Sequence, residues 1–372
     1  MTRREWLAVS GLVLSSACGP KKGTGYAGYA LVATSGDNNL TVVDLTAFRV
    51  LRPIPIGAPP TAVVTGGPGG RSYVLTPSTG SVHVVEQDLK RVSTHRLADE
   101  LSAIRLSPDG KHVLVISAQS RQLIEADAIS LKMIRRHKLN TEPIGMDVAT
   151  TPYVAVSTGE HGTVELFHIG TGERRRTQMP GQIGEVRFRA DGQLLLVANF
   201  HDRSLTALNV PTLDIIADLP LAMQPQNLCF NSDQGQLFVS GEGMDGVAIV
   251  YPYNTLEVGQ TVLAGRDPGV MACCGPAPAY LFVGSHSGSD ICILNVDTYK
   301  VIGIVDVGQH PTYITITPDS QYALALDETS GDMAVIHIPA IRANREKSGA
   351  SLFTMLPVGS KPVHAAIVAR MT

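Results

Sequence analysis

The sequence predicts an all-β fold, a single β-propeller of four-stranded blades. Three observations carry that expectation. Apolar strand-like runs begin near Tyr29, Tyr73, His112, Tyr153, Leu194, Leu237, Tyr280 and Tyr322, at steps of about 40 residues, the period of a propeller blade. A shorter segment recurs between them, as in Pro60-Thr-Ala-Val-Val, Leu101-Ser-Ala-Ile-Arg, Pro143-Ile-Gly-Met-Asp, Pro225-Gln-Asn-Leu-Cys, Pro311-Thr-Tyr-Ile-Thr and Pro362-Val-His-Ala-Ala. No segment beyond the first residues has a helical period of apolar positions.

Residues 194–237 display one full unit. Leu194-Leu-Leu-Val-Ala reads as a first strand, and Asn199-Phe-His-Asp-Arg-Ser as the turn after it. Leu205-Thr-Ala-Leu-Asn-Val and the run starting at Ile215 give the second and third strands. Gln224-Pro-Gln-Asn-Leu-Cys-Phe supplies the inner strand, and the pattern restarts at Leu237. Ser107-Pro-Asp-Gly-Lys, Ala190-Asp-Gly-Gln and Thr317-Pro-Asp-Ser-Gln are hairpin turns with a mechanism: Pro presets φ, Asp bonds its own backbone and Gly takes positive φ. Eight blades fit the count best. An insertion at 340–352 and an irregular second repeat leave seven blades plus an extra hairpin as the alternative. The outer strands of 29–56 lack an inner strand before them, and the strand from His364 lacks outer strands after it. The two are expected to join in one blade and close the ring.

Leu196-Val-Ala-Asn with Ser204-Leu-Thr-Ala-Leu-Asn, and Ala33-Thr followed by Leu40-Thr-Val-Val-Asp44, resemble the tyrosine-valine-threonine-asparagine (YVTN) β-propeller repeat. The resemblance covers nearly all of 29–370. It implies an exported bacterial or archaeal propeller. Relatives of this type include sugar-lactone hydrolases, quinoprotein dehydrogenase subunits, the haem-binding domain of cytochrome-type nitrite reductases and many secreted binding proteins. Fold does not select among them.

The 372 residues suffice for one such propeller, and few aromatics with 36 Gly suit many short strands and turns. A formal net charge of -3 recruits neither nucleic acid nor an anionic surface. The two dense basic runs, Arg174-Arg-Arg176 and Arg135-Arg-His-Lys138, fall on outer hairpins and read as solvated faces. The first residues differ in kind. Arg3-Arg4 with Trp6-Leu7 precedes an apolar run too short to span a bilayer, as in a signal peptide. The paired arginines resemble a twin-arginine signal; Trp6 stands where that motif prefers Phe, so Sec export stays open. Ser15-Ser-Ala-Cys18 resembles a lipobox with Ser15 in place of the usual Leu, and lipidation at Cys18 is expected. The expected organisation is therefore a signal at 1–18, a tether at 19–28 and the propeller at 29–372, exported to the periplasm or outer surface and held at the membrane by that lipid alone. A monomer is expected.

Cys229, Cys273, Cys274 and Cys292 remain after the signal, with no C-x-x-C spacing for zinc. Cys273 and Cys292 lie two strands apart, too far for a bridge. Cys229 and Cys273, on neighbouring inner strands, are within reach of each other, and free thiols are the expectation. H-E-x-x-H, P-loop and G-x-S-x-G motifs are absent. Gly241-Glu-Gly-Met-Asp-Gly246 matches G-x-G-x-x-G but sits between two strands with no helix behind it, so it reads as turn glycines.

His161, His201 and His286 all fall in the turn after a first strand, and His310 in a loop leading into an inner strand. Those turns and loops are expected on one face. Inner strands alternate an apolar set (Ile104, Met146, Val186, Leu228, Ile314) with a partly polar one (Arg105, Asp147, Glu185, Arg187, Cys229, Tyr313, His364). Arg105, Asp147 and Arg187 hold equivalent positions in three successive blades, which predicts an ion-pair girdle with Asp147 between two arginines. The candidate site is thus a rim of His161, His201, His286 and His310 opening on a channel mouth with Arg105, Asp147, Arg187, Tyr313 and His364. Such a mouth suits a small polar or anionic ligand. The first functional reading is a binding or scaffold protein, with an envelope protein as the other partner class, no catalytic pair and no favoured cofactor or metal. A lactonase-type hydrolase would draw on Asp37, Asp202, Asp245, Asp267 or Asp327 among the rim loops. A cofactor- or haem-handling propeller is the third reading, from the blade count and the rim histidines.

Overall fold

A computed structural model describes residues 25–159, 162–253, 255–341 and 351–370. Cys18, Arg3, Arg4 and His161, and most of the 340–352 insertion, lie outside the described residues. The described residues form eight antiparallel sheets, each one blade of a β-propeller. Blades are numbered here by their inner strands: Pro362–Ala369 for blade 1, then Ala62–Thr65, Ala103–Leu106, Pro143–Val148, Ile183–Phe188, Gln224–Phe230, Pro268–Cys274 and Pro311–Ile316 for blades 2 to 8. First strands begin within one residue of the positions read from the sequence.

The ring closes as expected. Pro362–Ala369 pairs antiparallel with Gly28–Thr34, with Ala33 opposite His364 and a bulge beside it. The third strand of that blade is broken into Arg49–Val50 and Ile54–Pro55, because Pro53 cannot donate to a ladder. Gly243, with φ 96°, turns the hairpin between Leu237–Glu242 and Gly246–Pro252, so the G-x-G-x-x-G stretch is a turn.

Strand alternation buries both faces of every blade, and the core lies in layers between neighbours. Leu75, Val82, Ile104, Val115 and Ile124 pack one such layer between blades 2 and 3. Each fully buried aliphatic side chain there contributes about 1.5–3 kcal/mol of transfer free energy. Tyr73 is fully buried at this seam, and its hydroxyl donates to the Ala128 carbonyl at 2.7 Å. Inner strands keep one free edge toward the axis. Their remaining N–H and C=O groups need partners from elsewhere, and this requirement shapes the channel.

Candidate functional site

The apolar set of inner-strand positions is buried, with Ile104 at 0%, Val186 at 1% and Leu228 at 4% exposure, so the alternate set faces the channel. Two kinds of wall result. In blades 4 and 5, Asp147 Oδ2 accepts from the Phe188 N–H at 2.8 Å, and Glu185 Oε2 accepts from the Leu228 N–H at 3.0 Å. Each carboxylate thus caps the free edge of the next blade. Arg187 bridges them, 2.8 Å from Glu185 Oε1 and 3.6 Å from Asp147 Oδ1. Burial pushes the Glu185 carboxyl above the usual carboxylate range, with Arg187 opposing it. Burial also works against the Arg187 charge, but Glu185 and Asp147 outweigh it and raise its pKa.

Close approach of blades 4 and 5 depends on Gly145, where a Cβ would meet Ser157 Oγ at 2.6 Å and the Gly184 carbonyl oxygen at 2.8 Å. Ser157 Oγ donates to that carbonyl at 2.6 Å and accepts from the Gly145 N–H at 2.9 Å, tying the two inner strands together.

Arg105 behaves differently. Its Nη1 donates to the Ile104 carbonyl at 3.0 Å, and no carboxylate among the described residues pairs with it. Burial and then the Arg187 guanidinium lower its pKa. The expected girdle is therefore corrected: Asp147 lies within ion-pair distance of Arg187 and not of Arg105, which it and Glu185 attract only at longer range, because its other oxygen is committed to the Phe188 amide, and the nearer partner of Arg187 is Glu185 of its own strand. Glu185 was legible as the alternate residue in Glu185-Val-Arg187 but was not placed in the site. A cavity of about 470 Å³ opens over this wall, lined by Arg105, Gly145, Gln182, Glu185, Phe200 and Gln226.

Across the channel, Tyr313 of blade 8 and His364 of blade 1 lie ring to ring, centroids 4.3 Å apart. The Val63 N–H donates to His364 Nδ1 at 3.5 Å, which leaves the proton on Nε2. Burial, and secondarily Arg105, push the His364 pKa down to about 4, so the ring is neutral near pH 7. The Tyr313 hydroxyl has no hydrogen-bond partner among the described residues, and its pKa is raised by burial while Arg105 and Arg187 lower it. Blade 2 places only Ala62 and Val64 between His364 and Arg105.

The rim follows the expected topology. The His201 N–H donates to the Gln182 carbonyl at 3.4 Å, and the His286 N–H to the Asp267 carbonyl at 2.8 Å, so turns after first strands bond the loops leading into their own inner strands. His286 and His310 meet across blades 7 and 8, ring centroids 5.2 Å apart, and His310 Nδ1 lies 3.1 Å from Glu328 Oε2. His201 is exposed on the same face above Gln182, in another blade. Among the described residues, no group of three His, Cys, Asp or Glu is arranged to hold a metal. The rim acids hold backbone: Asp37 accepts from the Ser360 N–H at 2.6 Å, Asp245 from the Asp267 N–H at 2.9 Å and Asp327 from the Gly308 N–H at 3.0 Å. Asp202 accepts from the Asn199 side-chain amide at 3.2 Å. Cys229, Cys273, Cys274 and Cys292 are free thiols, and burial pushes Cys229 up to about 12.

No family model matches the chain. It is 23% identical over 165 residues to the seven-bladed β-propeller protein Rv1057 of Mycobacterium tuberculosis, covering 41% of this chain and 40% of that protein. The match thus spans less than half of either. Among solved structures, the dihydro-heme d1 dehydrogenase NirN in complex with DHE superimposes with a TM-score of 0.76 at 15% identity, over 93% of this chain and 76% of that one. Apo AztD from Citrobacter koseri gives a TM-score of 0.67 at 10% identity, over 93% and 99%. Hydrazine synthase of Kuenenia stuttgartiensis gives 0.58 at 17% identity, over 76% and 96%. At these identities the likeness is one of fold.

Proposed function

We propose that the chain is an exported propeller of the YVTN-repeat type, anchored by a lipid on Cys18, whose channel mouth captures a small anionic ligand. The observation that carries this reading is Arg105, a guanidinium facing the channel with no carboxylate within ion-pair distance among the described residues, Asp147 and Glu185 attracting it only at longer range. A fixed donor fork in a mostly buried position favours a carboxylate or phosphate that completes its hydrogen bonds. Tyr313 and the Nε2–H of His364 add two neutral donors on the opposite wall. Calorimetric titration with a panel of small carboxylates, phosphate and sulfate tests the reading. Capture by the wild type and its loss in Arg105→Ala, with an unchanged melting temperature, is the expected result; equal capture by both proteins refutes it. Mass spectrometry of the mature N-terminus tests the anchor, which fails if the chain starts anywhere but an acylated Cys18.

A second reading draws on the NirN likeness: a tetrapyrrole carrying carboxylates, its ring against the Tyr313–His364 pair. Addition of haem to the purified protein then gives a saturable shift in the absorption spectrum that Arg105→Ala weakens. An unperturbed spectrum removes this reading and leaves the small-anion one standing.

A further inference from the structure

The two basic runs lie 36 residues apart, yet the fold sets them side by side. Met133–Lys138 is the outer strand of blade 3 and Arg174–Gln178 that of blade 4, and Arg174 Nη1 donates to the Lys138 carbonyl at 3.0 Å. Neither strand contains an acid, and together they carry Arg135, Arg136, Lys138, Arg174, Arg175 and Arg176. Each of the other outer strands has at most one Arg or Lys. Two of the six cations serve the fold. Arg135 covers Glu125, which is 2% exposed, and Arg174 covers Glu165, which is 0% exposed. Burial raises the Glu165 pKa against that pairing. Arg136, Lys138, Arg175 and Arg176, with Lys132 just before the strand, point to solvent. Among the described residues, the one carboxylate within ion-pair distance of them is Glu173, exposed and 3.9 Å from Arg175, while Arg176 also attracts the buried Glu165 at longer range.

The same hairpin of blade 3 exposes aliphatic side chains: Ile129 at 63%, Met133 at 45% and Ile134 at 44%. We infer that this outer edge is a docking surface for an anionic phospholipid bilayer. Lysine and arginine heads reach phosphates while aliphatic groups beside them enter the headgroup boundary. Outer strands of other blades expose aliphatic groups too, such as Ile215 at 54% and Leu263 at 73%, but carry no cluster of cations; this edge alone among them joins both, whereas a polyanionic glycan or nucleic acid would use the cations only. The surface lies on the outer strands, at the opposite edge of the blades from the channel, and does not depend on the ligand proposed there. It would hold the ring in a fixed attitude to that membrane.

The test uses the chain from residue 19 on, which holds the whole closed ring, so that neither the apolar signal nor an acyl chain contributes, in co-sedimentation with vesicles. Phosphatidylglycerol-doped vesicles are expected to retain the protein, pure phosphatidylcholine vesicles to release it, and added salt to weaken retention. Arg136→Gln, Lys138→Gln and Arg175→Gln together are expected to lower partitioning on the order of 100-fold, from three surface cations. These positions leave Arg135 and Arg174 on their buried carboxylates, so the melting temperature is expected to hold. Equal retention on both vesicle types, salt-independent retention, or undiminished binding by the triple variant would overturn the inference. Binding to heparin without binding to phosphatidylglycerol vesicles would overturn it in favour of a glycan.

Discussion

Arg105 and Arg187 occupy the same register in blades 3 and 5 but live in different chemistry. Arg187 has a carboxylate from its own strand and another from the preceding blade. Arg105 has a backbone carbonyl and a like-charged neighbour, with the same two carboxylates acting on it only beyond ion-pair distance. The difference teaches that register alone does not assign a role. Asp147 and Glu185 are committed to the free edges of blades 5 and 6, and Arg187 neutralises what those commitments leave. The same requirement in blade 2 is met by His364, a neutral acceptor, and so demands no counter-charge. Arg105 is left with its donors turned to the channel.

The largest effect that sharpens this comparison is on stability. Arg187→Ala leaves Asp147 and Glu185 without their cation near the axis and is expected to cost about 3 kcal/mol in denaturant unfolding. The 37% exposure of its side chain keeps the figure at the lower end for a buried pair. Arg105→Ala should cost less than about 1 kcal/mol in the same experiment. Equal losses would erase the distinction between the two arginines.

Next comes a pH effect. His364 titrates near 4 in the fold against an ordinary value of 6.5, so between those limits the unfolded chain takes up a proton that the folded chain refuses. Its contribution is fully present above 6.5 and lost as pH falls toward 4, by about 3 kcal/mol at most. His364→Gln is expected to flatten that part of the stability profile, seen in melts across the range. Asp327 opposes it. Burial raises its carboxyl to about 7, so its contribution is present below 3.8 and lost as pH rises through 7. Asp327→Asn is expected to raise the melting temperature most at pH 8.5, less at pH 5, and to leave it nearly unchanged below pH 3.8. A wild-type profile unaltered by either substitution would show that neither group is held as described.

Smaller effects concern the ligand. Arg105→Ala should weaken anion capture on the order of 10- to 100-fold, the worth of charge-assisted hydrogen bonds in a desolvated site. Tyr313→Phe removes a hydroxyl that bonds no group among the described residues, so stability should hold within about 0.5 kcal/mol while affinity falls about 5-fold. If Tyr313→Phe destabilises the fold instead, the open wall is structural like its counterpart.

The sequence by itself determined the blades. A period of about 40, Pro-Asp-Gly turns and strict alternation are local signals, and each strand is built from its own residues. It also pointed to the closing blade, because one incomplete set lacks the inner strand that the other supplies, and the two pair. The placing of His201 and His286 in turns after first strands, and of His310 ahead of an inner strand, followed from strand order alone. What only the tertiary structure decided is which polar group meets which. Asp147 caps the Phe188 amide of the next blade, an acceptor choice set by the few ångströms separating two inner strands. Glu185 outcompetes Asp147 for Arg187 by a fraction of an ångström, and the basic strands of blades 3 and 4 join across 36 residues. Alternation gives the direction of a side chain; hydrogen bonds and ion pairs depend on distances that the close approach of separate blades sets, and Gly145 with Ser157 is where that approach is fixed.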